Sequence, residues 1–238
     1  MFWYGFDLYY LILVVPAMIF AMIAQHNVNS TFRKFSQVAC RRGLTGAQAA
    51  ELVLRGSGVQ DVAVEFVQGH LTDHYDPRSN VIRLSSSVYG SSSVASVGVA
   101  AHEAGHAVQY AVGYGPIKLR AALIPVTQFG SAAAWPLVLI GLLFNNNTFF
   151  VLGMVFFLLA TLFQLVTLPV EFNASARAIR TIEEMQLLYE DELPGAKKVL
   201  RAAAMTYVAS LLMSLLQLLR FVLIFIGRGG GRDRGGSR

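Results

Sequence analysis

The residues of this chain best suited to chemistry stand in one run, VAAHEAGHAVQYAVG, at positions 99–113. His102 and His106 are four apart, so on a helix both imidazoles project from one face, one turn apart. That spacing lets two ring nitrogens reach a single tetrahedral ion at about 2.0–2.1 Å. Glu103 directly follows the first histidine, which sets its carboxylate beside an open coordination position without ligating. From there it can take a proton from metal-activated water and hand it to a leaving amine. Ala104 and Gly105 are small enough to let another element approach closely. Histidine and glutamate are costly to bury without partners, and a metal site supplies those partners in a run that is otherwise small and apolar.

Two histidines leave zinc one protein ligand short. Cys40 is the only cysteine, which excludes an intrachain disulfide and a cysteine-based zinc knot. A distant acid or histidine must complete the site. PVEFNASARA, residues 169–178, offers Glu171, one turn into a helix that emerges from an apolar run. Two apolar runs joined by a short turn separate it from His106. The chain goes out and returns, so both helices end on the same membrane face. Other candidates read differently. Glu183 and Glu184 suit a solvated helix face, Glu190, Asp191 and Glu192 an exposed loop, and His70 and His74 an extended region with structural or substrate-facing roles.

These groups must be positioned by a very apolar chain. Of its 238 residues 55% are hydrophobic and 14% charged, against roughly 25% charged in an average soluble domain, and the mean hydropathy is +0.52. That is too apolar for a soluble enzyme and too charged for a bare bundle of spans. The expected fold is mainly α and polytopic: about four membrane helices plus a small α+β soluble portion with a short sheet and a zincin-type HExxH helix, in a single domain over 1–238. Residues 8–24, 121–143, 148–168 and 202–226 are the spans, and about 27–118 and 169–200 form the soluble portion. MFWYGFD has no basic residue and no cleavage site follows, so the first run reads as a retained span rather than a signal peptide. Phe2, Trp3, Tyr4, Phe6, Tyr9 and Tyr10 suit an interfacial belt.

Smaller signals fill in the rest. Pro125 and Pro136 are kink sites in the second span, and Asn145 to Asn147 make a tight polar turn after it. Pro169 opens a polar helix over about 170–190. Gln217 and Arg220 interrupt the last run. Residues 27–42, with Phe32, Phe35 and Val38 at helical spacing, suit an amphipathic helix resting on the bilayer. Thr45 and Gln48 form a capping box for a second helix that ends at Gly56 and Gly58. VAVEFV, HLTDHYD and NVIRLS read as a two- or three-stranded sheet between residues 59 and 85, and Ser91 to Gly113 return to helix. The Gly/Arg-rich tail, 227–238, is expected to be disordered.

The formal net charge is +5. Its cations sit in short clusters beside the apolar runs, at Arg33-Lys34, Arg41-Arg42 and Lys197-Lys198. That placement fits membrane flanks, not a nucleic-acid face. The expected partners are membrane lipid and a peptide or protein substrate, with no nucleic acid. By the positive-inside rule the metal site faces the cytoplasm. A fourth crossing would then put the arginine-rich tail outside, and the sequence leaves open whether the last run crosses fully.

HEAGHAVQ, PVEFNASARA and LTDHYDPRSNVIRLS together resemble the YugP-like family of bacterial membrane zinc metallopeptidases, over nearly the whole chain. More distantly the arrangement is similar to HtpX-type and CAAX prenyl endopeptidase-type membrane proteases. The resemblance implies a gluzincin-like site in a bacterial plasma membrane: one zinc per chain, His102, His106 and Glu171 as ligands, and Glu103 as base. In the distant relatives an acid four residues after the ligand glutamate orients a zinc histidine. Here that position is Ser175, so carboxylate support comes from Asp73 or Asp76 or is missing, with Asn173 and Ser175 as further candidates to orient the histidines. Arg177 is suited to a substrate carbonyl or to an acid partner. The LTDHYDPRSNVIRLS segment is the expected substrate rim, since an extended peptide can add to a strand edge, with His74 or Tyr75 donating to the oxyanion.

The expected function is an integral membrane zinc endopeptidase. One alternative is a membrane scaffold or accessory subunit with a structural zinc, which has no use for Glu103. Another is a metal transporter, which wants ionisable groups inside its spans, and residues 121–168 contain none.

Overall fold

The computed structural model describes residues 7–229. The aromatic belt residues Phe2, Trp3, Tyr4 and Phe6 and most of the Gly/Arg tail lie outside them. A short π-helical turn, Tyr10–Val14, leads into α1 (Val15–Ser36). There follow α2 (Gly46–Gly56), β1 (Ala63–Val67), β2 (His74–Asp76), β3 (Val81–Ser85), α3 (Val94–Ala111), α4 (Gly115–Leu143), α5 (Asn147–Glu184) and α6 (Leu193–Gly229). The protein is mostly helical, and four of its helices are long and apolar enough to cross a membrane: Tyr10–Ser36, Gly115–Leu143, Asn147–Glu184 and Leu193–Gly227.

Two compact units divide the chain. One comprises 7–23, 119–167 and 207–229 of the described residues. Its helices approach closely at glycines: a Cβ on Gly141 would run into the Phe150 backbone nitrogen, and one on Gly153 would stand 2.7 Å from that of Val138. Asn145 turns α4 into α5 at φ +51°, a left-handed conformation that asparagine tolerates better than most residues. Phe150, Phe221 and Val138 form a buried cluster. Arg220, expected to interrupt the last run, sits inside an unbroken α6 and is buried. It donates to Asp7 from Nε (3.1 Å) and Nη2 (2.8 Å) and lies over the Tyr10 ring. The paired charge leaves the helix free to continue.

The other unit comprises 24–118 and 168–206. Thr45 and Gln48 cap α2 reciprocally, and Ser93 and Ser96 do the same for α3. Small side chains then let these two helices pack tightly, with Ala49, Ala50, Ala100, Ala101 and Ala104 fully buried. The sheet has the order β1-β3-β2. β3 is central and buried on both faces, parallel to β1 and antiparallel to β2. That leaves β2 as an edge strand.

Three local expectations change. Residues 27–36 are no separate surface helix but the continuation of α1. Phe32 is 4% exposed and joins the core with Phe35, while Val38 lies past the helix end, because burying both rings in protein satisfies the stripe. Pro169 opens no new helix and lies within the 38-residue α5. It removes one backbone bond, but the following turns are anchored by Val170, Ala174 and Ala178, all at 0% exposure. Glu192, expected in an exposed loop, is buried: Oε1 accepts from the Arg41 backbone N–H (2.9 Å) and Oε2 from that of Tyr189 (2.8 Å). Glu183, Glu184, Glu190 and Asp191 are exposed, and Asp191 pairs with Arg41.

Candidate metal centre

α3 presents His102 and His106 one turn apart, their ring centroids 4.7 Å from each other. α5 brings Glu171 to them. Its Oε2 stands 3.3 Å from His102 Nε2 and 3.5 Å from His106 Nε2, and the three ligand-type atoms lie within 4.8 Å of one another. Gly105 makes the approach possible: a Cβ there would stand 2.7 Å from the Ala174 carbonyl oxygen. The small residues of the HEAGH run thus let α3 and α5 touch backbone to backbone.

The donor set fits zinc. Ligand atoms about 2.05 Å from a tetrahedral centre lie about 3.3–3.4 Å from each other, and the two nitrogen–oxygen separations are 3.3 and 3.5 Å. Two imidazoles and a carboxylate are the ligand types of catalytic zinc sites, which leave a fourth position open. Glu171 is 1% exposed and so meets the two imidazoles away from bulk solvent.

Each histidine is held from behind by a neutral side chain. His102 Nδ1 is 3.1 Å from Ser175 Oγ, and His106 Nδ1 is 3.0 Å from Gln109 Oε1. The second contact can be assigned by elimination along a chain of groups. Arg177 Nε can only donate, and it reaches Asn173 Oδ1 at 2.8 Å. That oxygen, with the Val170 carbonyl, accepts from Gln109 Nε2 at 3.0 and 2.8 Å. The Gln109 amide is therefore oriented with Oε1 towards His106. An oxygen there requires His106 to carry a proton on Nδ1, so Nε2, which faces Glu171, is the nitrogen that can give up its proton and offer a lone pair to a metal. Burial alone would push the His106 imidazole down, but the carboxylates of Glu171 and Glu103 hold it above the ordinary histidine value.

Glu103 is 9% exposed, and its Oε2 accepts the backbone N–H of Tyr75 at 3.0 Å. In an antiparallel pair, successive residues turn their backbone groups to opposite sides. The free edge of β2 therefore faces α3 at Tyr75. The sequence offered no sign of this link, since it runs through a main-chain donor.

The remaining candidates lie elsewhere. Asp73 accepts from the Ser85 N–H and hydroxyl, and burial pushes its carboxyl up despite those bonds. Asp76 binds Ser79, Arg83 and the Arg78 N–H across the β2–β3 turn. Those partners hold its carboxyl well below the ordinary range. Both acids brace the sheet, and the histidine Nδ1 atoms bond to Ser175 and Gln109 instead. The Tyr75 phenol donates to Asn80 at 2.6 Å, and His74 Nδ1 pairs with the Thr72 carbonyl at 2.9 Å. Arg177 spends Nε on Asn173 and has no acid partner among the described residues. Gln109, fully buried, received no role from sequence. Its signal was a polar residue three positions after His106, on the same helical face.

A His, His, Glu cluster able to hold a metal ion, in a chain with four span-length helices, defines a class, that of membrane proteins with a candidate metal centre. The chain belongs to the family described as "Putative neutral zinc metallopeptidase", whose profile matches residues 10–226. It is 46% identical over 224 residues to "Putative membrane protease YugP" of Bacillus subtilis (strain 168), covering 94% of this chain and 98% of that protein. No solved structure matches it significantly.

Proposed function

We propose that the chain is an integral membrane zinc endopeptidase that hydrolyses peptide bonds of membrane or membrane-proximal proteins. The observation that carries this is the convergence of His102, His106 and Glu171 on one point, with the Glu103 carboxylate fixed beside them by a strand edge. His102, His106 and Glu171 would hold one zinc ion. When bound, the metal supplies Lewis acidity, which lowers the pKa of water and polarises a carbonyl. The chain's own residues do the rest. Glu103 takes the proton of the attacking water and returns it to the departing amine. Ser175 and Gln109 keep the two imidazoles turned so that each Nε2 offers a lone pair. The β2 side of the site receives the substrate in extended form along α3, next to the Tyr75 N–H that holds Glu103. His74 and Arg177 remain candidates for oxyanion or carbonyl contacts, and the Tyr75 phenol would have to leave Asn80 to serve.

The site belongs on the cytoplasmic face of a bacterial plasma membrane in this reading. Most lysines and arginines lie in 25–120 and 169–201, the segments that carry the metal residues. The Asp7–Arg220 pair joins the start of the first span to the end of the last, which supports four full crossings and a tail on the opposite side. A reporter fused after residue 238 that is active only outside the cytoplasm should be active.

The decisive experiment is Glu103→Gln in the full-length protein. The variant should retain about one zinc per chain and lose cleavage of an unfolded membrane-protein substrate by about 10²-fold or more. Cleavage at the wild-type rate would rule out the mechanism.

A further inference from the structure

Away from the metal centre, α1 and α6 enclose a groove of about 290 Å³ with three cations on its walls: Lys34 from α1, Lys198 and Arg201 from α6. No acidic residue lines it. Among the described residues none of the three cations has a carboxylate within ion-pair distance, whereas their neighbour Lys197 is paired with Glu183. Three like charges are thus gathered around one concavity with no counter-charge from the protein. Thr31 and Asn27 add hydroxyl and amide groups, and Phe35, Ala202 and Met205 supply apolar wall.

The place of the groove along the two helices identifies its occupant. On α1 the apolar run ends at Ala24, and Asn27 to Lys34 follow within about 5–15 Å of it at 1.5 Å per residue. On α6, Lys198 and Arg201 immediately precede the apolar run that begins at residue 202. Lys198, Arg201 and Asn27 therefore stand at the headgroup layer, which adds about 5–8 Å to each side of the hydrocarbon core, and Lys34 lies on its water side, where a long lysine side chain can snorkel towards a phosphate. One turn back along α1 from Asn27 stands Ile23, 60% exposed, with Met22 at 59% and Ile19 at 48%. These side chains offer an apolar track leading away from the cationic groove. A phosphate above and an acyl chain below match that sequence of surfaces, as in basic clefts between membrane helices that hold anionic lipid.

We propose that this groove is a binding site for the phosphate headgroup of an anionic phospholipid of the bilayer. The lipid neutralises Lys34, Lys198 and Arg201 together and ties α1 to α6 at the membrane boundary. The site stands independently of the metal centre, so its test does not need catalysis.

The test is native mass spectrometry of the detergent-purified full-length chain with equal amounts of phosphatidylglycerol and phosphatidylcholine. The wild type should retain one phosphatidylglycerol in preference to phosphatidylcholine. The triple variant Lys34→Ala, Lys198→Ala, Arg201→Ala should lose that adduct by at least about tenfold, since each cation near an anionic surface contributes about fivefold. All three positions are exposed helix sites, where alanine is well tolerated. A charge-matched variant, Arg55→Ala, Arg78→Ala, Arg180→Ala, removes three exposed cations outside the groove and should bind as wild type does. Equal loss in both triple variants, or no loss in the groove variant, overturns the proposal. Displacement of phosphatidylglycerol by an equal concentration of inorganic phosphate also overturns it, because the site would then recognise a free anion and not a lipid.

Discussion

Replacing Gln109 separates orientation of a metal ligand from simple core packing. In Gln109→Leu the volume is nearly conserved, but His106 Nδ1 loses its 3.0 Å acceptor and the Val170 carbonyl and Asn173 Oδ1 lose their 2.8 and 3.0 Å donor. Removing a group that fixes a metal-ligating histidine costs about 10–100-fold in metal affinity, or about 1.4–2.7 kcal/mol. Asn173 Oδ1 keeps its bond from Arg177 Nε and the Val170 carbonyl lies within α5, so the two lost bonds cost the metal-free fold about 0.5–1.5 kcal/mol each. Gln109→Glu splits the two effects. Its carboxylate still accepts from Nδ1–H, so zinc affinity should stay within about threefold of wild type, an allowance small against the loss expected above. It sets oxygen against two acceptor oxygens, so the metal-free protein should be at least as destabilised as the leucine variant. The measurements are zinc affinity by competition with a chromogenic chelator near pH 7 and thermal unfolding of the metal-free protein in detergent. Were Gln109→Leu to bind zinc within about twofold of wild type, or were both variants to lose zinc in proportion to stability, Gln109 would be packing alone and the orientation argument would fail.

Other perturbations test the surroundings. Gly105→Ala places a methyl group 2.7 Å from the Ala174 carbonyl; overpacking of about 1–3 kcal/mol outweighs the helix propensity gained, so melting temperature and zinc affinity should both fall. The Asp76 carboxyl is held below its ordinary range by Ser79 and Arg83, so its contribution to stability is present above about pH 4 and is lost as pH falls towards its folded value. Asp76→Asn should flatten the acid limb of an unfolding-midpoint-versus-pH curve. Asp7→Asn leaves the buried Arg220 without its counter-charge and should destabilise the protein more than the double change Asp7→Asn, Arg220→Leu, as read by thermal unfolding in detergent.

Much of this architecture was legible because it rests on patterns with a fixed period or a simple parity. Histidines four apart lie on one helix face wherever the helix is placed. The four apolar runs are long enough that no soluble fold would hide them. Parity also located Glu171: two spans joined at Asn145 must bring the chain back to the side it left. Other features turned on competition between local and tertiary forces. Pro169 signals a helix start locally, yet the buried residues just after it hold α5 straight through. Phe32 and Phe35 form a stripe that either lipid or protein could cover, and only the packed unit decides which. Glu192 looks like its exposed neighbours until the Arg41 N–H is known to lie beside it. The parallel pairing of β1 with β3 was equally hidden, because segments consecutive in sequence would more readily form a hairpin than leave β2 on the far edge.

The neutral partners of the two histidines follow from the charge already present. Glu171 is almost completely buried and Glu103 nearly so, both within the same cluster as the imidazoles. A carboxylate at position 175, where the distant relatives resembled by this chain carry an acid, would place a further negative charge behind His102 in the same low-dielectric surroundings. Its desolvation cost rises with burial, and it would stand as a further like charge against Glu103 and Glu171. A hydroxyl and an amide orient the rings through hydrogen bonds of about 1 kcal/mol each without adding charge. The Tyr75 N–H meets the Glu103 carboxylate, and Asp73 lies within coulombic reach of it. An orienting network of Ser175, Gln109 and Asn173 therefore adds no charge to a cluster that already holds buried carboxylates, and Arg177 closes that network with a donor that cannot reverse its polarity.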